Sequence, residues 1–107
     1  MLPKNRPPTH PGEMLLKEFM EPLHLSQKTL AKHLAWPYGR LNEIINGRRA
    51  VTVDSALALG DAFGTGPEFW LNLQRDWDLW HQMQEYQPVA PIVRSPAASL
   101  AAETSPT

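Results

Sequence analysis

At 107 residues with 42% hydrophobic content, the chain is long enough for one hydrophobic core and too short for two. The absence of cysteine excludes disulfides, thiolate zinc sites and thiol catalysis, and suits a reducing compartment. A formal net charge of −1 gives no overall attraction to phosphate, and no apolar run approaches the roughly eighteen residues needed to cross a membrane.

In chain order, residues 1–9 read as a flexible arm, and their prolines interrupt the unbroken apolar stretch that a signal peptide requires. The expectation is therefore a soluble cytoplasmic protein with no membrane partner. His10-Pro11-Gly12-Glu13 is a helix start, with proline at the first helical position and an acid in the first turn to complement the dipole. This helix should run to about Glu21, with Leu15, Leu16, Phe19, Met20 and Leu23 crowding one side, before Pro22 and His24 mark a turn.

Ser26 is a good N-cap for the next helix, and Leu25 and Leu30 stand where a hydrophobic staple would fix its entry angle. From Gln27 onward, Leu30, Ala31 and Leu34 share a packing face, and Gln27, Lys28 and Lys32 remain for solvent or phosphate. The pattern breaks at Trp36-Pro37, because proline disfavours helical geometry before it but is pre-organised to open a new helix. That second helix is expected to begin at Pro37. Leu41, Ile44 and Ile45 would lock it to the domain and turn Tyr38, Gly39, Arg40, Asn42 and Glu43 outward; Asn46-Gly47 stops it. Two short helices, a tight turn and a closing Arg48-Arg49 pair are the layout of a DNA-reading helix-turn-helix.

Thr52 should cap a fourth helix in which Ala56, Leu59 and Phe63 recur at helical spacing until Gly64. Pro67 opens the fifth and longest, where Trp70, Leu73, Trp77 and Trp80 form an apolar stripe. Leaving such rings in water forgoes about 2 kcal/mol each, so the core covers some of them. Three tryptophans exceed what so small a core needs, which makes Trp70, Trp77 and Trp80 candidates for a dimer or partner interface; the alternative is that the whole stripe is core. Beyond Tyr86 the composition turns to proline, alanine, serine and threonine, giving a flexible tail over 87–107 in which Val89, Ile92 and Val93 are available to a partner. The expected organisation is an arm (1–9), an all-α five-helix domain (10–86) and a tail (87–107).

Charge is unevenly placed: residues 26–49 carry +4 and residues 50–88 carry −5. A basic face for DNA and an acidic face for a basic protein fit that polarity, as does ordinary solvation of surface helices. Catalysis finds no support, since the four histidines fall at no metal spacing and pair with no nucleophile; no enzyme activity, metal, cofactor or small-molecule substrate is expected.

Four stretches, HPGEMLLKEFMEPL (10–23), LSQKTLAKHLA (25–35), RLNEIINGRRAVT (40–52) and FGTGPEFWLNLQRDWDL (63–79), resemble the HigA family of addiction-module antitoxins, within the XRE or lambda-repressor-like superfamily. The resemblance implies a five-helix domain that dimerises, binds a partly palindromic operator ahead of its own operon and neutralises a HigB-type mRNA-cleaving toxin. It places Gln27 at a phosphate-contacting position, Tyr38, Gly39, Arg40 and Glu43 on the recognition helix, and Arg48-Arg49 as a basic pair after it. Three departures stand out: Pro37-Tyr38-Gly39, where the family more often has a basic and a hydroxylated residue after proline; Gly66, where a serine cap is usual; and the tail after residue 88, which matches no family feature.

On this reading Arg40 pairs with a guanine edge, a contact worth about 1–3 kcal/mol of discrimination, supported by Asn42 or Tyr38. Gln27, Lys28, Arg48 and Arg49 hold phosphates and set register. One monomer reads too little, so two recognition helices about 34 Å apart are needed. A solitary regulator without a toxin, and an interaction module that has lost DNA binding, remain the alternatives.

Overall fold

Pro11 and His10 begin the first helix as the sequence predicts. In the computed structural model, which describes residues 6–93, the His10 ring occupies the N-cap and its Nδ1 accepts the N–H of Gly12 at 2.9 Å. The helix, α1, opens as an α-helical turn, Pro11–Met14, and continues in wider π winding over Leu15–Met20. Its bonds run to the fifth residue back, as in Glu21 N–H to the Leu16 carbonyl at 2.9 Å. This winding was not legible in the apolar pattern. It stacks residues five apart, and Leu15 and Met20 are accordingly both buried.

Four further helices follow: α2 (Gln27–Leu34), α3 (Tyr38–Ile45), α4 (Val53–Phe63) and α5 (Pro67–Glu85). Ser26 caps α2 by accepting the N–H of Thr29 at 3.1 Å. Ala35 closes α2 in the left-handed region at φ 59°, which sends the chain sharply into α3. Pro37 takes the N-cap rather than the first helical position, so α3 begins at Tyr38, one residue later than expected. Gly47 (φ 75°) and Gly64 (φ 70°) turn the chain after α3 and α4, as predicted.

Thr52 stands at the N-cap of α4 but does not cap it with its side chain; the hydroxyl donates to the Asp54 carboxylate instead. At Gly66 the backbone has φ 81°, which a serine would adopt only with strain, so the glycine there follows from the turn.

α4 packs most extensively on α5, α2 on α3, and α1 bridges α3 and α5. Gly12 permits the α1–α3 crossing: a Cβ there would lie 1.8 Å from the Ile44 carbonyl oxygen. Leu15, Met20, Leu30, Leu41, Ile44, Leu59 and Trp70 fill the centre. Leu23, assigned to the packing side of α1, is instead 63% exposed because the helix ends at Met20 and Leu23 lies in the turn that follows, which His24 closes at φ 52°.

Trp70 corrects a second expectation. It has no exposed surface, being enclosed by Phe19, Phe63 and Phe69 with ring centroids at 5.2, 6.4 and 5.0 Å, and it is a core residue rather than a partner contact. Trp77 and Trp80 are half-buried; the His10 ring meets Trp77 edge-on at 4.9 Å. Residues 87–93 are exposed and without regular structure, while the remainder of the predicted tail, 94–107, and residues 1–5 of the predicted arm lie outside the described residues. No helix among the described residues is long and apolar enough to cross a membrane.

Candidate nucleic-acid interface

The two helices of the motif are joined by a side-chain bond. Asn42, in the middle of α3, donates from Nδ2 to Oε1 of Gln27, the first residue of α2, at 2.9 Å. Asn46 then donates to the Asn42 carbonyl at 3.0 Å and to its Oδ1 at 3.2 Å. Both Gln27 and Asn42 are half-buried, so the expected outward Asn42 is in fact a structural link whose amide is already engaged. The half-buried Leu25 and buried Leu30, the pair expected to staple α2, line one cleft with Phe63.

Arg40 departs further from expectation. Its guanidinium lies over the Trp36 ring, 4.2 Å from the centroid, and Nη2 donates to Asp54 Oδ2 at 3.0 Å and to Ser55 Oγ at 2.8 Å. Only 24% of its side chain is exposed. The expected free, outward base reader is thus folded back against α4. The cause is tertiary: α3 and α4 pass close enough for residues fourteen and fifteen apart in sequence to share one cation. The Thr52 hydroxyl, and after it Arg40, hold the Asp54 carboxyl below its ordinary range.

Of the remaining predicted contacts, Tyr38 is 53% exposed, and Gly39, Lys28 and Lys32 are exposed. No atom would meet a Cβ at Gly39 within 4 Å, so the surface there is open. Glu43 accepts from Arg49 at 2.8 Å through Nε and 2.6 Å through Nη2, which half-neutralises the basic pair. Arg48 is exposed and makes no side-chain hydrogen bond among the described residues; its backbone N–H reaches the Glu43 carbonyl at 2.8 Å. The cationic residues that stand clear of internal ion pairs here are therefore Lys28, Lys32 and Arg48.

Trp36, Asp54 and Ser55 escaped the sequence reading. No local periodicity links any of the three to Arg40. On the far side, Gln74 is also tied in: its Oε1 accepts the Val51 N–H at 2.8 Å and its Nε2 donates to Asp78 at 2.8 Å, fixing the segment after α3 to α5.

Five helices with no strand among the described residues, and two of them linked at a tight turn, define a helix-turn-helix protein. The helix-turn-helix family matches residues 16–70. Antitoxin HigA-1 of Vibrio cholerae is 39% identical over 95 residues, spanning 89% of this chain and 90% of its own. An addiction module antidote protein of the HigA family from Coxiella burnetii superposes with a TM-score of 0.70 at 38% identity, over 95% of this chain and 98% of that one. The Pseudomonas aeruginosa antitoxin HigA, solved with the higBA promoter, superposes with a TM-score of 0.73 at 32% identity, over 80% and 99%. The chain belongs to the HigA family of XRE-type helix-turn-helix antitoxins.

Proposed function

We propose that this protein represses its own operon by binding a two-fold operator as a dimer, and neutralises a HigB-type mRNA-cleaving toxin by direct contact. The observation that carries the DNA reading is the locked α2–α3 pair: Asn42 holds Gln27 while Tyr38, Lys28, Lys32 and Arg48 stay exposed on the segment of charge +4. A fixed helix pair presents its side chains in one geometry, which major-groove reading requires. Lys28, Lys32 and Arg48 supply phosphate contacts, with Gln27 at the α2 N-terminus, where backbone N–H groups favour an anion.

The dimer contact is the exposed stripe at the end of α5. Leu79, Met83 and Tyr86 recur at helical spacing and are 47%, 58% and 60% exposed, next to the half-buried Trp77 and Trp80. A second copy on that stripe joins two recognition helices into one reader. The acidic second half, of charge −5, suits a basic toxin.

The test is a footprint on the DNA upstream of the coding sequence at low salt, together with co-purification of the product of any short basic open reading frame beside it. Protection of an inverted repeat and a stable complex are expected. An unprotected upstream region sinks the DNA reading; a protected one with no neighbouring toxin leaves a solitary regulator.

A further inference from the structure

Arg40 is the residue whose surroundings the DNA reading leaves unexplained. A guanidinium offers two forks for bidentate pairing, one made by Nε with Nη2 and the other by Nη1 with Nη2. Nη2 belongs to both. In this structure Nη2 is the nitrogen that donates to Asp54 Oδ2 at 3.0 Å and to Ser55 Oγ at 2.8 Å, and the Trp36 ring covers one face of the plane at 4.2 Å. With Nη2 engaged twice, neither fork is free to pair with the O6 and N7 of a guanine.

We propose that Asp54 and Ser55 determine operator affinity by competing with DNA for the Arg40 guanidinium, so that Arg40 reads a base only after Nη2 leaves them. The inference rests on the DNA-binding reading and adds to it two residues on α4 that touch no base.

The geometry suits such an exchange. Ser55 is buried and fixed, whereas the Asp54 side chain is 74% exposed beside an open cleft of about 250 Å³ that Arg40, Arg49, Thr52 and Ser55 also line. A carboxylate on that rim meets the negative field of approaching phosphates, which opposes Asp54 and weakens its hold on Arg40. The Trp36 stack is compatible with either partner, because it uses the ring face and no N–H. A phosphate oxygen by itself replaces one anionic acceptor with another. A guanine edge offers two acceptors to one fork, so the exchange favours a base-containing site over bare backbone.

Ser55→Ala separates this from simple charge repulsion, since it removes an acceptor for Nη2 and leaves the charge unchanged. The probes are a labelled duplex from the protected upstream region and a scrambled duplex of the same composition, titrated by fluorescence anisotropy at two salt concentrations. Ser55→Ala is expected to bind the upstream duplex about threefold or more tightly, with scrambled-duplex affinity and salt slope unchanged. Asp54→Asn is expected to add a gain on both duplexes from the lost charge and a larger gain on the upstream one. Thermal unfolding of each variant separates a folding defect, which lowers both affinities together. Upstream affinity that stays constant or falls in both variants overturns the proposal; a fall would make Asp54 and Ser55 supports for Arg40 rather than competitors. Wild-type protein that binds neither duplex overturns the DNA reading itself, and this inference with it.

Discussion

Asn42 Nδ2 lies 2.9 Å from Gln27 Oε1, and this bond ties the recognition helix to the helix before it. Both partners are half-buried, so losing either leaves a partly desolvated amide unpaired. A double-mutant cycle of Gln27→Ala and Asn42→Ala, followed by urea unfolding, should return a coupling of about 0.5–1.5 kcal/mol. Strict additivity of the two single variants would remove the bond from the account of the motif's rigidity.

Gly39 sits in the first turn of α3 with no neighbouring atom within 4 Å of where a Cβ would stand. Gly39→Ala should therefore stabilise the protein by up to about 1 kcal/mol, by lowering the backbone entropy of the unfolded chain. The same open surface faces the proposed groove. A rise in melting temperature with weaker binding to the upstream DNA would show that the glycine is kept for close approach, and an unchanged melting temperature would contradict the stability argument.

His10 is buried at the α1 N-cap and receives the Gly12 N–H on Nδ1, a bond that requires that nitrogen to be unprotonated. Burial lowers its pKa from the ordinary 6.5, against the opposing pull of Asp78 and Glu13 and with a smaller push from His81. A histidine with a lowered folded pKa contributes its full stability above 6.5 and loses it as pH falls through the folded value, since the unfolded chain takes the proton first. Urea midpoints should drop between about pH 7.5 and about pH 5.5 in the wild type. His10→Asn keeps a cap acceptor without a titrating ring, so its midpoints should drop less; an equal drop assigns the pH dependence to other groups.

Arg48, exposed and without a side-chain partner among the described residues, is expected to act on phosphate. Arg48→Ala should weaken upstream and scrambled DNA alike and reduce the salt slope by about 0.9. A loss confined to the upstream duplex would instead make Arg48 a base contact.

The helices and their boundaries were legible because their signals are local. Ser26 caps α2 from one residue away, Gly47 and Gly64 supply positive φ where the chain must turn, and Pro67 opens α5. Leu41, Ile44 and Ile45 are buried as their spacing on one helical face required. The start of α3 moved by one residue, and the Thr52 hydroxyl found Asp54 rather than the helix N–H groups, because short side chains choose among several acceptors within reach.

What the residues do in the site was less legible, and for a consistent reason. A side chain's sequence neighbours fix which face of a helix it leaves, and only the crossing of helices fixes what it meets. Arg40 leaves α3 on the side where α4 passes, and so finds Ser55 and Asp54. Trp70, equal to Trp77 and Trp80 in the sequence stripe, falls where Phe19, Phe63 and Phe69 converge and is enclosed. Gln74, which no motif singled out, joins the segment after α3 to α5 through Val51. The sequence by itself determined five helices, their turns and an HTH with a basic segment, since capping, φ restriction and apolar period act over a few residues. The tertiary structure decided which tryptophan the core encloses and which arginine is paired with a neighbouring helix, because burial and ion pairing depend on groups brought together across the chain.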